Sequence, residues 1–390
     1  MEMLTREIDV EFNELMGRIG NVFPSEPGFR TARKYIQGLM SSAERKNGWQ
    51  LAEAVGDATP FSVQQFLYRG RFEADGLRDE LRHYVGDTIG DEDGTLVPDE
   101  TGFLKQGKMS CGVKRQYSGT AGRVENCQIG VFLTYAGKKG HAPIDRRLYI
   151  SEDWFEDPQR CRKAGVPETV TFQTKPQMAL EMIQQATASG LPYRWVTGDC
   201  VYGDYGAMRA WLEERGKGYV LCVSRKAYVN GFTVGSVLKE LDEDGWFEAS
   251  CGDGAKGVRL YDWKALEVDG QSIEGWKHWL LVRRSKKKPG EMRSYICFAP
   301  ADTPMEKLIK IAGIRWTVEC CFAESKSEVG MDHYEVQSYS GWHKHITLAC
   351  LALALLTKLS SHSFDKKIMQ QHKPAASSLD AFKRGRNLRV

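Results

Sequence analysis

Between residues 91 and 224 the apolar pattern leaves helical spacing and becomes strands interleaved with helices. That change constrains the fold more than any other feature of the chain. GTLVP reads as a short strand, VENCQIGVFLTYA as a long one, AGKKGHAP as a Gly-rich turn, and IDRRLYIS as the strand that pairs back in a hairpin. Residues 176–189 (PQMALEMIQQATAS) have helical periodicity. YRWVTG is a strand, DYGAMRAWLEERG a helix closed by Gly216, and GYVLCVS another strand. Three strands, helix, strand, helix, strand predicts a mixed α/β sheet with an antiparallel half and a parallel half.

The flanks differ in texture. Residues 1–90 carry apolar residues at three- and four-residue spacing, in TREIDVEFNELMGRIG and TARKYIQGLMSSAERKN, and predict helices. Within them GWQLAEAVGDATPFSVQQFLYRG has a helix-turn-helix rhythm, with a break at Gly56-Asp57, a second helix opening near Thr59-Pro60, and Arg69 and Arg71 following. A plain helical hairpin reads the same way, so DNA contact and simple packing are both open here. Residues 225–302 are rich in Gly and Trp with strand-like stretches (WFEAS, GVRLYDW, HWLLVRR, MRSYICFAP) and read as an inserted β-rich subdomain. Helices resume over 303–362. The stretch 363–390 reads as a basic, flexible tail, seven Lys/Arg against one Asp from Lys366 onward.

Composition narrows the class without naming a partner. Net charge over 390 residues is +3, so any nucleic-acid surface must be a local patch. The 10 cysteines form no C-x-x-C pair or Cys/His cluster. This argues against structural zinc and fits a reducing cytoplasm. MEMLTREIDVEF is too acidic for a signal peptide, and ITLACLALALLTKLS is short for a membrane span and predicts a buried helix. No P-loop is present, so no nucleotide cofactor is expected. His343 and His345, in WHKHITL, fall on different sides of a helix and read as polar capping rather than metal ligands.

Three acids stand out by context. Asp99 follows GTLVP and Asp199 follows YRWVTG, each at the end of an expected strand. Glu319 lies in GIRWTVECCFAESKSEVG, with Arg315 four residues before and Lys326 seven after. Both offsets return to nearly the same helix face. Acids on adjacent strands and a helix above the sheet suit a two-metal phosphodiester site. Glu324 is the rival for the third position, about 140° around the helix from Glu319. Asp204 is the rival for the second and reads as a cap for the helix starting at Tyr205. Glu100 is expected on the opposite face from Asp99. Pro98 is awkward inside a central strand, so Asp99 is expected just beyond the paired stretch.

VPDETGFLKQGK, GVKRQYSGTAGRVENCQIGVFLTYAGKKGHAPIDRRLYI, RWVTGDCVYGD, GAKGVRLYDW and IRWTVECCFAESKSEVGMDHYEVQSYSGWHKHITLACLALA together resemble bacterial insertion-sequence DDE transposases, closest to the insertion sequence 701 family. The resemblance runs from about Arg30 to Leu359, with the motifs in order. It implies an RNase H-like core interrupted by an insertion, with Asp99, Asp199 and Glu319 as the metal-binding catalytic triad. It further implies two Mg²⁺ ions per site, with Mn²⁺ as substitute. Arg315 and Lys326 fit the last cationic positions of the Y-(2)-R-(3)-E-(6)-K signature, while Ala312 replaces its Tyr.

The activity implied is cleavage of one strand at the element's end, followed by attack of the freed 3′-OH on a phosphodiester. Its partners are double-stranded DNA, as terminal inverted repeats and target, and a second protomer, in the bacterial cytoplasm at the nucleoid. Lys105, Lys108, Lys114 and Arg115 are candidates for tracking the DNA backbone, and Trp246 or Trp263 for stacking on an unpaired base. A domesticated DNA-binding protein without catalysis and a stand-alone RNase H-like nuclease are the alternatives.

Overall fold

Helices α1 (Glu2–Ile19), α2 (Glu26–Met40), α3 (Gly48–Ala54), α4 (Phe61–Arg69) and α5 (Ala74–Ile89) open the chain in a computed structural model that describes residues 2–254, 257–270 and 273–363. Local chemistry sets their ends. Ser25 Oγ accepts from Gly28 N–H at the start of α2, and Asn47 accepts from Gln50 N–H at the start of α3. Gly56, at φ +76, breaks the chain between α3 and α4, where the helix-turn-helix rhythm expects it.

The sheet begins with β1 (Thr95–Leu104), β2 (Lys114–Ser118), β3 (Arg123–Gly137) and β4 (Gly140–Tyr149). The expected long strand and its hairpin are β3 and β4. Two features differ from the sequence reading. β1 does not stop at Pro98 but runs through Asp99 to Leu104, with Asp99 opposite Phe132. β2 was not expected; it pairs with the first residues of β3 around a turn at Ser118–Arg123.

After α6 (Glu152–Phe155) and α7 (Pro158–Ala164), α8 (Lys175–Ala188) starts at a capping box between Thr174 and Gln177. Next come β5 (Trp195–Gly198), α9 (Cys200–Gly203), α10 (Gly206–Glu213) and β6 (Gly218–Val223). β4 and β3 are antiparallel, β3 and β1 antiparallel, β1 and β5 parallel, and β5 and β6 parallel. The spatial order β4-β3-β1-β5-β6 is the RNase H-like arrangement.

The following segment holds a small hairpin, β7 (Tyr228–Val229) with β8 (Phe232–Thr233), and α11 (Val234–Val237). Then come β9 (Phe247–Gly254), β10 (Gly257–Val268), β11 (Trp276–Arg284) and β12 (Met292–Pro300). β12 pairs antiparallel with β6, and β11, β10 and β9 follow outward, so these strands continue the main sheet to ten among the described residues. The run RRSKKKPGE turns between β11 and β12.

Two long helices complete the described residues. α12 (Met305–Ser327) crosses one face of the sheet, against β9, β1, β5 and β6. α13 (Tyr339–Ser363) is the expected buried helix, with Leu348 to Ala352 fully buried beside β4, α5 and α2. Phe132 of β3 touches both helices, through Phe322 and Trp342, so α12 and α13 share one face. α8 and α9 cover the other. Among the described residues no helix is long and apolar enough to cross a membrane. The basic tail, apart from Ser363, lies outside the described residues.

Candidate active site

Asp99 sits in mid-strand despite the proline before it. N–H groups two residues apart in a strand point to the same edge. The Glu100 N–H, aligned with the missing donor of Pro98, is taken by Asp99 Oδ1 at 2.9 Å rather than by a ladder partner. Pairing with β5 covers only Thr95 and Leu96. The proline therefore falls where β1 has no neighbour to lose, and the opening leaves room for the carboxylate.

Asp199 ends β5 and caps α9, its Oδ1 accepting from Val201 N–H at 2.9 Å. α9 is drawn in against β6 at Gly203, where an added Cβ would lie 1.8 Å from the Cys222 carbonyl oxygen. From above, α12 delivers Arg315 and Glu319. Arg315 Nη2 donates to Glu319 Oε1 at 2.7 Å, and Nη1 approaches Asp99 Oδ2 at 3.7 Å. One guanidinium thus spans an acid of β1 and an acid of α12.

The electrostatics follow from this crowding. Burial, then Asp199, then Glu100 push the Asp99 carboxyl up to about 7, against the Glu100 N–H and Arg315. Burial and then Glu100 raise Asp199 as well. Burial works against the Arg315 charge, but Asp99, Glu319 and Asp199 outweigh it, and the guanidinium holds its proton more tightly than usual.

Glu100 faces away from Asp99, as expected, accepting from Lys175 Nζ at 2.6 Å and from Tyr202 OH at 2.5 Å. These partners tie β1 to α8 and α9. They escaped the sequence reading because nothing local links residues 100, 175 and 202. Glu324 points elsewhere and meets His141 Nε2 at 2.8 Å. Asp204 is not the cap of α10, which begins after Tyr205; its Oδ1 accepts from Ser224 N–H at 2.9 Å.

The remaining candidates scatter. Lys326 donates to Thr101 Oγ1 at 2.8 Å, Thr120 Oγ1 at 3.0 Å and Gly102 O at 3.3 Å, beside β1 rather than at Glu319. Lys105 donates to Tyr334 O over the Tyr334 ring, and burial lowers it to about 8. Lys114 pairs with Asp153 at 2.8 Å. Lys108, Arg115, Arg69 and Arg71 are exposed. Trp263 is fully buried, leaving no ring face for a base. Trp246 is half-buried under Arg284, 4.1 Å away. Ala312 is buried, with Tyr295 buried on the neighbouring strand β12. His343 and His345 lie inside α13 rather than capping it; His345 Nδ1 meets Tyr35 OH at 2.8 Å.

Asp99, Asp199 and Glu319 offer hard oxygen donors, the first two carboxyls raised by burial and by neighbouring acids. Among the described residues no three or more His, Cys, Asp or Glu side chains are placed to hold a metal ion together. An ion such as Mg²⁺, which keeps water and phosphate oxygens in its shell, suits an open site of this kind. The donor chemistry fits a divalent cation.

The sequence matches the family model of the DDE superfamily endonucleases over residues 21–232, from just before α2 to the start of β8, with Asp99 and Asp199 inside. The chain belongs to the DDE superfamily endonucleases. A second model, the transposase DDE domain, matches residues 170–355 and takes in Asp199 and Glu319. The endonuclease is also 22% identical over 324 residues, 82% of this chain and 80% of the relative, to a probable transposase for insertion sequence element IS701 from Microchaete diplosiphon. The family carries dependence on a divalent metal and DNA as substrate.

Proposed function

We propose that this endonuclease is a transposase that cuts DNA at the terminal inverted repeats of an insertion sequence and joins the freed strand to a target. The observation that carries the reading is Arg315, which brings together Asp99 of β1 and Glu319 of α12. In this reading Asp99, Asp199 and Glu319 hold two divalent ions, Mg²⁺ or Mn²⁺. Such ions, when bound, stabilise both the attacking and the leaving oxygen of an in-line displacement.

The chain's own residues orient that chemistry. Arg315 keeps Asp99 and Glu319 from repelling each other before DNA arrives and offers donors to a phosphate. The cap at Val201 fixes the Asp199 carboxylate at the end of β5. Exposed Lys108, Arg115, Arg69 and Arg71 are suited to the DNA backbone. Lys114 can exchange a weak surface pair for phosphate. α4 exposes Phe61, Tyr68 and Arg69 and is the helix we assign to end recognition. Two ends brought together call for at least two protomers, working at the nucleoid of the bacterial cytoplasm.

The test is cleavage and strand transfer on a duplex carrying the inverted repeat that borders the gene, with Mg²⁺. Glu319→Ala is expected to abolish both while retaining DNA binding, whereas Glu324→Ala cuts. A wild type that binds the repeat and never cuts it, or a dead Glu324→Ala beside an active Glu319→Ala, overturns the assignment. Cleavage without any joined product favours the stand-alone nuclease instead.

A further inference from the structure

Strand register traces the active-site face well beyond the acids. Cross-strand partners share a face, and alternate residues return to it. On β1 that face holds Asp99, Thr101 and Phe103, opposite Phe132, Gly130 and Gln128 of β3. Continuing along β3 it reaches Asn126 and Val124, whose partners on β2 are Arg115 and Tyr117. Helices α12 and α13 cover the face at Phe132 and Phe103. They leave it open at the ribbon formed by β2 and the start of β3, where Tyr117 is 64% and Val124 52% exposed.

The ribbon carries Lys114, Arg115 and Arg123 against one acid, Glu125. Among the described residues Lys114 and Arg123 form surface pairs, to Asp153 and Glu125, which are weak and exchangeable. Arg115 has no ion pair among the described residues. The turn at the ribbon's tip is not loose. Lys326 joins Thr120 of that turn to Thr101 and Gly102 of β1, so the ribbon is tied to the strand of Asp99 and to the helix of Glu319.

A solvent-facing aromatic opposite a β-branched residue, ringed by cations and continuous with the catalytic face, fits a duplex groove. The major groove is wide enough for a two-stranded β-ribbon. We propose that the β2–β3 ribbon enters a groove of the DNA being cut, with Tyr117 and Val124 against base edges and Arg115 on phosphate. This rests on the transposase reading for the position of the scissile phosphate. Eight residues of β3 separate Phe132, opposite Asp99, from Val124. The turn beside Val124 nonetheless folds back to β1, with Thr120 Oγ1 3.3 Å from Thr101 Oγ1, two residues from Asp99, so the ribbon's contact falls close to the cut.

The test compares wild type with the double variant Tyr117→Ser/Val124→Ser on the duplex carrying the bordering inverted repeat. Dissociation constants, chemical footprints and cutting are measured, with thermal unfolding as the control for folding. Both positions are exposed, so the melting temperature is expected to be unchanged. Affinity is expected to fall about tenfold, with protection lost on the duplex close to the cut. If the double variant binds and footprints like wild type, the ribbon contact is wrong, whether or not the protein cuts. If wild type binds but never cuts, and the double variant still loses affinity and protection, the ribbon contact stands and the transposase reading falls.

Discussion

Asp99 is the residue under most electrostatic tension. Its folded carboxyl binds a proton up to about 7, against an ordinary value near about 4 in an unfolded chain. A group whose affinity for protons is raised by folding costs stability once it ionises. The cost is absent below about pH 4 and complete above about pH 7. In metal-free protein, Asp99→Asn should therefore melt at the same temperature as wild type near pH 4 and at a higher temperature near pH 8. Mg²⁺ should then raise the melting temperature of wild type more than that of the variant. An Asp99→Asn protein that is less stable than wild type at the higher pH would show that the carboxylate is satisfied without a cation. At this scale much of the site was legible. Asp199 follows the apolar strand β5 and Asp99 falls inside β1 rather than just past it, while the four-residue step from Arg315 to Glu319 became a 2.7 Å ion pair. Lys326 was not: its helix position was right, but its partners Thr101 and Thr120 come from distant segments that local pattern does not connect.

At the scale of elements, the position of α12 decides where Arg315 and Glu319 fall. Its close approach to β9 depends on Gly313, where a Cβ would lie 1.8 Å from the Cys251 carbonyl oxygen. Arg259 of β10 fastens the same crossing, its Nη2 donating to Gly313 O at 3.1 Å and to Cys251 O at 3.0 Å. Gly313→Ala must push helix and strand apart. The expected loss is about 1–3 kcal/mol in urea unfolding, the usual range for overpacking. Cutting should fall further than stability, because Arg315 and Glu319 move with the helix. Gly107→Ala, with open space around its Cβ, is the control. Equal activity in the two variants would mean that the site tolerates a shift of α12. This contact illustrates what sequence pattern leaves out. The strands of residues 225–302 could be read one by one, but not that β12 would pair with β6 and carry them onto the main sheet. Likewise the five residues of β2 are too few and too polar to stand out without knowing that β3 offers an edge.

At the scale of the whole molecule, α1 to α5 are joined to the catalytic sheet through buried polar contacts as well as apolar packing. Arg82 of α5 pairs with buried Asp145 of β4, and Arg146 of β4 reaches Asp75 of α5 at 3.0 Å. Lys344 of α13 donates to Gly70 O at 2.7 Å, just past α4. Tyr35 of α2 meets His345 of α13 at 2.8 Å, both fully buried or nearly so. Burial lowers His345 to about 3, so it stays neutral in the folded protein while the unfolded chain protonates near about 6.5. A depressed folded value means that the unfolded state takes up the proton first. The stability linked to His345 is therefore intact above about pH 6.5 and drains away as pH falls toward about 3. Buried His343, lowered by the same cause, adds to the slope. His345→Gln should cost about 1 kcal/mol near neutral pH, through the altered bond to Tyr35. It should also flatten the loss between about pH 6.5 and 5, so that the two stability curves converge on acidification. Urea unfolding at a series of pH values measures this directly. Curves that run parallel from neutral to acid would mean that His345 is protonated in the fold. The contact between α2 and α13 would then be charged rather than a neutral hydrogen bond sealed from water.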